Sequence, residues 1–327
     1  MSSQQEALSA RCPRVTVLGS SSAGNGTLVR SGATSILIDC GFPPEYINGQ
    51  MADVGLKLSD LTAVFITHTH GDHVNQMFVR RALELRIPIF CPTDIELHLQ
   101  TQYTWMARAS HRGVLRPIMN DCTEVGNCLV RTFPVPHDSA GGCFGYSIFS
   151  ESPLGMKKVT VATDIAFATE SIIDAVAESD IVVIESNHDL EMLENSGRPV
   201  WLKKRIRERG HLSNDESADI VLRAIDRSSH VPQTIALAHV SQQCNTNAFA
   251  VQSMRESLRK LDCERVTVAE TFPFTRSAVF SISAGQKHET GVSCYSDLSA
   301  ELQFRKTVAL KQQTSLTHKS TRLVYDS

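Results

Sequence analysis

The sequence predicts an α/β fold in which two sheets pack face to face beneath outer helices. Short apolar runs typical of strands are clustered in the first half of the chain. In the second half, helix-type patterns alternate with such runs. Hydrophobic residues make up 42% and charged residues 20% of the 327 residues, which is enough apolar material for a sizeable core.

The first half contains three predicted strands and one predicted helix. Apolar runs predict strands at Val15–Leu18, Ser35–Asp39 and Ala63–Thr67. Residues 19–26 are small, which is typical of a loop. A helix is predicted at Val74–Arg86, because Pro88 follows it as a stop signal.

The second half begins with strands and continues with alternating helices and strands. Apolar runs bounded by Pro and Gly predict strands at Leu129–Val135, Cys143–Phe149 and Val159–Ala162. The predicted helix–strand pairs are Thr169–Glu178 with Asp180–Glu185, Asn214–Asp226 with Thr234–Ala238, and Ala248–Leu261 with Val266–Ala269. The second helix is the best marked, because Ser213 and Glu216 form a capping box before it.

The two ends of the chain differ in composition from the middle. Residues 1–13 are polar and indicate a loose tail. Residues 14–285 are predicted to form a single domain. Residues 286–327 are polar and lack periodicity, which predicts a mobile tail with a helix near Leu298–Leu310.

Composition and charge exclude several classes of protein. The net charge of −3 argues against a chain coated in nucleic acid, although it permits a local basic patch. The nine cysteines are odd in number and form no C-x-x-C pair, which argues against a disulfide framework and for a reducing compartment. No secretory signal is visible, and no window approaches the ~20 apolar residues that cross a bilayer. We therefore expect a soluble cytoplasmic protein with no membrane partner.

The strongest chemical signal is the segment from Thr67 to His73, which has the sequence T-H-T-H-G-D-H. His68 and His70 are two residues apart, so their side chains point the same way in an extended segment. Gly71 permits a tight turn, after which Asp72 and His73 are directed back toward the first pair. Three imidazoles and a carboxylate can serve two cations, and a nitrogen and oxygen ligand set suits zinc or manganese.

Further ligand candidates follow apolar runs elsewhere in the chain. His137 follows Val135-Pro136, Asp164 follows the strand at Val159–Ala162, and His239 ends the strand at Thr234–Ala238. Each lies beyond the C-terminal end of a strand, where α/β sheets place their ligands. The sequence therefore predicts a metal site with ligands from several strands.

In this order the motifs resemble the metallo-β-lactamase superfamily over residues 14–272. Four further segments are similar to its YycJ/WalJ-like branch, which is described as exonuclease-like: Gly19–Asn25, Glu185–Asp189, Gly210–Asn214 and His239–Ser241. A more distant likeness is to ribonuclease Z, where a similar Gly-His-Ser segment supplies a catalytic histidine. Two departures from the branch are Cys244-Asn245, where paired Asn is common, and Cys40-Gly41, where Ala-Gly is common.

The resemblance implies a four-layer αββα sandwich with two divalent metal ions at one edge of the sheets. It implies that His68, His70 and His137 hold the first metal. It implies that Asp72, His73 and His239 hold the second metal and that Asp164 bridges the two.

Two such cations can activate a water to hydroxide and clamp a phosphoryl group during attack. Asp72 can orient that water or accept its proton. His211 is the candidate that protonates the leaving oxygen. The alternative for His211 is a purely structural residue before the cap of the following helix.

The sequence also offers candidate substrate contacts. The small residues Ser20, Ser21, Ser22 and Asn25 could hold a phosphate through backbone amides. His188 follows a predicted strand and could line the same cleft, and Asn245 is a further candidate. Six cations lie between Arg198 and Arg209, of which Lys203, Lys204 and Arg205 are the predicted contacts to a polyanion. We expect Trp201, within this run, to pack on the core rather than stack on a base.

The favoured function is therefore a dinuclear metal-dependent phosphodiesterase that acts on nucleic acid and is exonuclease-like. A small-molecule hydrolase cleaving a cyclic phosphodiester or a thioester is the first alternative, and it would need the metals without the basic run. A non-catalytic metal-binding regulatory module is the second. That alternative predicts lost ligands, and the sequence retains the full set.

Overall fold

The computed structural model describes residues 12–283 and confirms an α/β fold. Strands β1 to β7 span Arg14–Ser21, Gly24–Ser31, Thr34–Ile38, Ala63–Phe65, Ile89–Pro92, Leu115–Ile118 and Cys122–Val125. Strands β8 to β14 span Cys128–Val135, Cys143–Ser152, Gly155–Ala162, Ile181–Glu185, Thr234–Ala238, Thr267–Glu270 and Phe280–Ser281. The predicted tail at 286–327, its helix at Leu298–Leu310 and residues 1–11 of the first tail lie outside the described residues.

Nine α-helices are described within residues 12–283. Helices α1 to α5 span Pro44–Ala52, Gln76–Leu85, Thr93–Gln102, Ala107–His111 and Glu170–Val176. Helices α6 to α9 span Leu190–Asn195, Val200–Arg205, Asn214–Asp226 and Asn247–Arg259. A π-helical turn at Ile206–Gly210 continues α7, and short 3₁₀ turns occupy Leu58–Asp60 and Thr104–Met106.

The strands form two seven-stranded mixed sheets. The first sheet has the order β14-β1-β2-β3-β4-β5-β6, and the second has the order β13-β12-β11-β10-β9-β8-β7. Strands β3 to β6 are parallel in the first sheet, and β10 to β13 are parallel in the second. The C-terminal ends of these parallel strands therefore lie at the same edge of each sheet.

Three apolar clusters account for the packing of the sheets and helices. One cluster joins the inner faces of both sheets and includes Phe65 and Tyr146, whose ring centroids are 5.2 Å apart. A second cluster fills the space between the first sheet and α1 to α4. A third lies between the second sheet and α5, α8 and α9. The result is the four-layer αββα sandwich that the resemblance implies.

Local signals explain the best-predicted helix. Helix α8 begins at Asn214 because the Ser213 side chain accepts a hydrogen bond from the Glu216 amide, and Glu216 accepts one from the Ser213 amide. Its apolar face, which includes Ile220 and Val221, is buried against the second sheet. The predicted and observed bounds of this helix agree.

Three local predictions were wrong. Residues 19–26 form a tight hairpin rather than a loop, because Ser20 pairs with Asn25 and Ser21 pairs with Gly24 in the β1–β2 ladder. Trp201 is 67% exposed rather than packed on the core. At the start of the chain, Cys12 belongs to the buried cluster between the sheets although it was assigned to a loose tail.

The described region holds no helix that is both long and apolar enough to span a bilayer. The eight cysteines between residues 12 and 283 are free thiols, and seven of them are buried. The prediction of one domain over residues 14–285 stays a prediction.

Candidate metal centre

The segment that carries the H-x-H-x-D-H pattern follows β4 directly and is held against the end of β3. The Cys40 amide donates a hydrogen bond to the His73 carbonyl at 2.9 Å, and the Asn75 amide donates one to the Cys40 carbonyl at 2.9 Å. Only glycine fits at Gly41, because a Cβ there would lie 1.7 Å from the Asp72 carbonyl oxygen. The loop therefore passes directly over the end of the neighbouring strand.

Six strand ends meet at one edge of the two sheets and supply the polar side chains of the site. Strand β3 leads to Asp39, β4 to the segment Thr67–His73, β8 to His137, β10 to Asp164, β11 to Glu185 and β12 to His239. Asp39, Asp164 and His239 have positive φ angles of 61°, 58° and 52°. Such left-handed conformations are uncommon outside glycine and concentrate at functional sites, where they turn a side chain out of the strand.

The first predicted ligand set converges. His68 Nε2 lies 3.0 Å from His70 Nδ1, and His137 Nε2 lies 3.4 Å from the same His70 nitrogen. Two imidazole nitrogens bound to a tetrahedral zinc at ~2.05 Å would be about 3.3 Å apart. The spacing of these three nitrogens therefore suits a single cation.

The second predicted set converges next to the first. Asp72 Oδ2 lies 3.5 Å from His73 Nε2 and 3.5 Å from His239 Nε2. These atoms belong to one group whose ligand atoms all lie within 4.8 Å of one another. Asp72, His73 and His239 thus offer two imidazole nitrogens and one carboxylate to a second cation.

Asp164 lies between the two sets. Its Oδ2 is 3.1 Å from His73 Nε2, while its Oδ1 is 3.7 Å from His239 Nε2 and 3.9 Å from His137 Nε2. The carboxylate is 2% exposed. It therefore reaches members of both sets, which is the position required of a bridging ligand.

Most of the predicted ligand imidazoles are oriented through their other ring nitrogen. His73 Nδ1 donates to Asp39 Oδ2 at 2.7 Å, His239 Nδ1 donates to Glu185 Oε1 at 2.9 Å, and His137 Nδ1 donates to the Gly210 carbonyl at 2.9 Å. His68 Nδ1 lies 3.0 Å from Thr67 Oγ1. These contacts at Nδ1 make Nε2 the candidate ligand atom in all four rings, which is the arrangement usual for metal-bound histidine.

Sequence reasoning missed two buried carboxylates that support this arrangement. Asp39 accepts hydrogen bonds from the Thr67 amide and hydroxyl as well as from His73. Glu185 accepts from His211 and His239 through Oε1 and from the Ile165 and Leu212 amides through Oε2. The sequence signal shared by both is an acidic residue at the end of an apolar strand, in SILID and DIVVIE, and Glu185 also begins the segment Glu185–Asp189 that resembles the YycJ/WalJ-like branch.

Electrostatics differ between the two halves of the site. In the first set, burial lowers the pKa of His68 well below its ordinary value, and it also lowers the pKa of His70 and His137. These three imidazoles are therefore neutral at physiological pH, as metal ligands must be.

In the second set the carboxylates dominate. Burial alone would lower the pKa of His239, but Asp164, Asp72 and Glu185 raise it to about 10. Burial is likewise outweighed at His73, whose pKa the surrounding carboxylates raise well above its ordinary value. Without a metal, protons on these two rings balance the negative charge that cations would otherwise balance.

The donor set fits a pair of divalent cations. Asp164 Oδ2 and His239 Nε2 are buried and make no hydrogen bond among the described residues, although each lies within ion-pair distance of other groups. Nitrogen atoms of the first set face one another at 3.0 to 3.4 Å, an arrangement that a shared cation stabilises. The oxygen and nitrogen donors are compatible with both zinc and manganese.

His211 lies beside the second ligand set and is held by Glu185. Its Nδ1 donates to Glu185 Oε1 at 2.8 Å, and its side chain is 22% exposed. The ring centroids of His211 and His239 are 5.0 Å apart. Burial would raise the pKa of Glu185, but His211 and His239 lower it to about 2, so that the carboxylate is ionised. His211 also belongs to a group with Asp164, Glu185 and His239 that could itself hold a cation.

The predicted phosphate contacts near residue 20 face the ligands. Ser20 Oγ donates to Asn25 Oδ1 at 2.8 Å and accepts from the His239 amide at 2.8 Å. The Asn25 amide group lies 3.0 Å from His73 Nε2. The backbone amides of Ser20 and Asn25 are hydrogen-bonded to Phe272 and Asp72, so they are not available as a phosphate cradle.

Among these residues, Ser21 is buried and Ser22 is exposed. The contacts give Ser20 and Asn25 a supporting position next to His239 and His73. A direct contact of Ser20, Ser21, Ser22 or Asn25 with substrate stays a prediction.

Two other predicted contacts are buried. His188 is 1% exposed, and both of its ring nitrogens lack a hydrogen-bond partner among the described residues. Asn245 is 4% exposed, and its side-chain amide donates to the carbonyls of Ser186 and Asn187. A direct contact of His188 or Asn245 with substrate also stays a prediction.

The basic segment 198–210 lies next to the metal centre and is called the basic arm below. Ile206 of the arm packs with Leu193 and Cys244. The Cys244 side chain, a departure from the related branch, is therefore buried in this small apolar cluster. The arm reaches the site through the Gly210 carbonyl, which accepts from His137. Arg205 Nε lies 3.1 Å from Oδ2 of Asp138, the residue that follows His137 in the sequence.

Comparison with known proteins agrees with this geometry. The family described as the beta-lactamase superfamily domain matches residues 34–239, from β3 to the last predicted ligand, His239. The chain belongs to this superfamily. Exodeoxyribonuclease WalJ of Streptococcus pneumoniae is 27% identical to this superfamily member over 252 residues, covering 76% of this chain and 89% of the relative.

Two further similarities are shorter or structural. Ribonuclease Z of Mycobacterium bovis is 39% identical over 70 residues, covering 19% of this chain and 24% of that protein. The metallo-β-lactamase fold protein YhfI of Bacillus subtilis has a TM-score of 0.59 and 16% identity, covering 83% of this chain and 99% of YhfI. The structural similarity confirms the metallo-β-lactamase fold of this superfamily member.

Proposed function

We propose that the protein is a dinuclear metal-dependent phosphodiesterase that acts on nucleic acid in the manner of an exonuclease. The observation that carries this proposal is the position of Asp164 between two complete ligand sets. The name of the relative WalJ, an exodeoxyribonuclease, supports a polynucleotide substrate.

We assign His68, His70 and His137 to one cation. We assign Asp72, His73 and His239 to the other and Asp164 to both, with zinc as the expected metal and manganese as an alternative. When bound, two such cations polarise the phosphoryl group and lower the pKa of an attacking water from ~15.7 toward ~7.

The residues around the metals have separate tasks. His211 donates from Nδ1 to Glu185, so its Nε2 is the nitrogen that protonates the leaving oxygen. Burial would raise the pKa of Asp72, but the charge of His73 and the close contacts with His239 and His73 lower it, so this carboxylate stays ionised. Such a weak base suits orientation of the water better than acceptance of its proton.

The basic arm supplies contacts to the substrate backbone. Lys204 and Arg205 are exposed, and Arg205 lies beside the ligand loop at Asp138. Lys203 is a weaker candidate because its ammonium donates to the Glu194 carbonyl. Together with Arg207, which pairs with Glu194 at 2.7 Å, Lys203 fastens the arm to α6.

We further propose a cytoplasmic location and one domain over residues 14–285. Free thiols at the eight described cysteines support a reducing compartment. A polynucleotide-cleaving enzyme also meets its substrate there.

The test is a panel assay of purified protein on labelled DNA, labelled RNA, cyclic nucleotides and a chromogenic phosphodiester, with zinc or manganese added after chelation. We expect metal-dependent release of nucleotides from a polynucleotide. Hydrolysis of cyclic nucleotides or of a small ester, with no cleavage of any polynucleotide, would instead select the small-molecule alternative.

A further inference from the structure

Helix α7 presents an unusual surface for a soluble protein. None of its six residues is buried, and its first two, Val200 and Trp201, are 82% and 67% exposed. Tryptophan is normally highly buried on average, because exposing its large apolar surface to water is unfavourable. An aromatic ring left in solvent beside a catalytic centre indicates a binding surface.

Charge identifies the kind of partner. Trp201 lies three residues before Lys204 and four before Arg205, so the three side chains share one face of α7. Lys204 and Arg205 are exposed on that face, which is therefore both aromatic and cationic. A second copy of the chain would bring like charges together across a twofold interface, which disfavours self-association here.

The contact between Arg205 and Asp138 shows which end of α7 lies nearer to the metal centre. Arg205 lies at the ligand loop through Asp138, and Trp201 is about 6 Å farther along the helix axis at a rise of ~1.5 Å per residue. A nucleic-acid strand that leaves the metal centre past Arg205 would therefore meet Trp201 next.

We propose that α7 is a docking surface for single-stranded nucleic acid, on which Trp201 stacks against an unpaired base while Lys204 and Arg205 contact the backbone. This proposal rests on the proposed function and deepens it. Bases inside a duplex are already stacked on both faces, so an exposed indole stacks on an unpaired base in preference to a base within a duplex.

The test compares variants of the full, metal-loaded chain. The probe is a fluorescent thymidine oligonucleotide with phosphorothioate linkages, and binding is measured by anisotropy. Trp201→Leu keeps an apolar side chain without an aromatic face, whereas Trp201→Phe keeps an aromatic face. We expect the Kd to rise about tenfold in Trp201→Leu and to change by less than about threefold in Trp201→Phe.

Intrinsic fluorescence provides a second readout. The chain has two tryptophans, so a Trp105→Phe background reports Trp201 alone. We expect the oligonucleotide to quench this emission and a fully paired blunt duplex to quench it less. Quenching or a blue shift by vesicles of phosphatidylglycerol, without any effect of the oligonucleotide, would assign the surface to membranes and overturn the proposal.

The outcomes separate the two proposals. If the wild-type protein binds the oligonucleotide and Trp201→Leu binds it equally well, the docking surface is wrong while the proposed function stands. If the wild-type protein hydrolyses a chromogenic phosphodiester but binds no polynucleotide, both proposals fail. Hydrolysis of that small diester should be the same in Trp201→Leu and wild type, because Trp201 lies outside the metal centre.

Discussion

Asp39 Oδ2 accepts a hydrogen bond from His73 Nδ1 at 2.7 Å, and this contact fixes which nitrogen of His73 faces the metal centre. The same carboxylate accepts from the amide and hydroxyl of Thr67, and so it connects the end of β3 to the H-x-H-x-D-H segment. Asp39 is thus a positioning residue for both ligand sets and is not itself a member of either set.

Replacement of Asp39 by Asn should weaken metal binding. Asn tolerates the positive φ of 61°, so the backbone should keep its conformation. The amide group would nevertheless lose the charge and direct a donor toward His73 or Thr67. We expect about a 10- to 100-fold loss of affinity for one of the two metals, measured by competition with a chromogenic chelator. The exposed Asp219→Asn is the matched control, and equal affinities in both variants would contradict the assignment.

The variant His211→Ala tests whether His211 acts as an acid catalyst or as a metal ligand. We expect kcat on a polynucleotide to fall about 10²- to 10⁴-fold while the metal content remains that of the wild type. The measurement pairs steady-state kinetics with elemental analysis, and the exposed His111→Ala serves as control. Loss of one metal in His211→Ala would show that His211 is a ligand and would remove its role as acid.

The stability of the metal-free protein should depend on pH in a defined direction. The pKa of His239 is raised from 6.5 to about 10, so its ion pairs stabilise the fold fully below pH 6.5 and are lost as the pH rises through about 10. The pKa of Glu185 is lowered from 4.5 to about 2, so its contribution is present above pH 4.5 and is lost as the pH falls through about 2.

Below pH 6.5 the neutral His68, His70 and His137 act in the opposite direction, because their pKa values are lowered by burial and the unfolded chain binds protons more readily. We therefore expect the chelated protein to be most stable near pH 6.5. Stabilisation by added zinc should instead increase with pH, because binding displaces protons from His73 and His239. Thermal denaturation with chelator and with zinc measures both trends. A metal-free protein whose melting temperature rises from pH 6.5 toward 10 would contradict the charges assigned to the second set.

Charge reversal tests the basic arm. Replacement of Lys203, Lys204 and Arg205 by Glu should weaken single-strand binding and flatten its salt dependence. Two or three lost phosphate contacts at about 0.7 each would reduce the slope of log K against log salt by about 1.4 to 2.1. The control reverses Arg255 and Arg259 of α9 and Lys260, which follows it; all three cations are exposed, and the change in net charge is the same. Equal slopes in the two triple variants would exclude the arm from substrate binding.

The positions of the candidate ligands were predictable because their signals are local. The spacing of His68 to His73 and the location of His137, Asp164 and His239 after apolar runs depend only on short segments and on where strands end. The same locality explains the agreement at α8, whose capping box is read directly from the sequence.

The features that were missed depend on contacts between distant segments. The hairpin at residues 19–26 has a loop-like composition, yet it is fixed by bonds to Phe272 and Asp72. Asp39 and Glu185 resemble ordinary acidic strand ends until the fold places histidines against them. Trp201 looks like a core residue by type, and only the packing of the arm through Ile206 leaves it in solvent.

Elemental analysis of the purified, zinc-saturated protein tests the central claim most directly. With the ligand sets joined by Asp164, the wild-type chain should hold two zinc ions, and Asp164→Ala should hold one or none and lose metal-dependent cleavage. A wild-type protein that holds no zinc after saturation, or an Asp164→Ala variant that retains both ions, would contradict it.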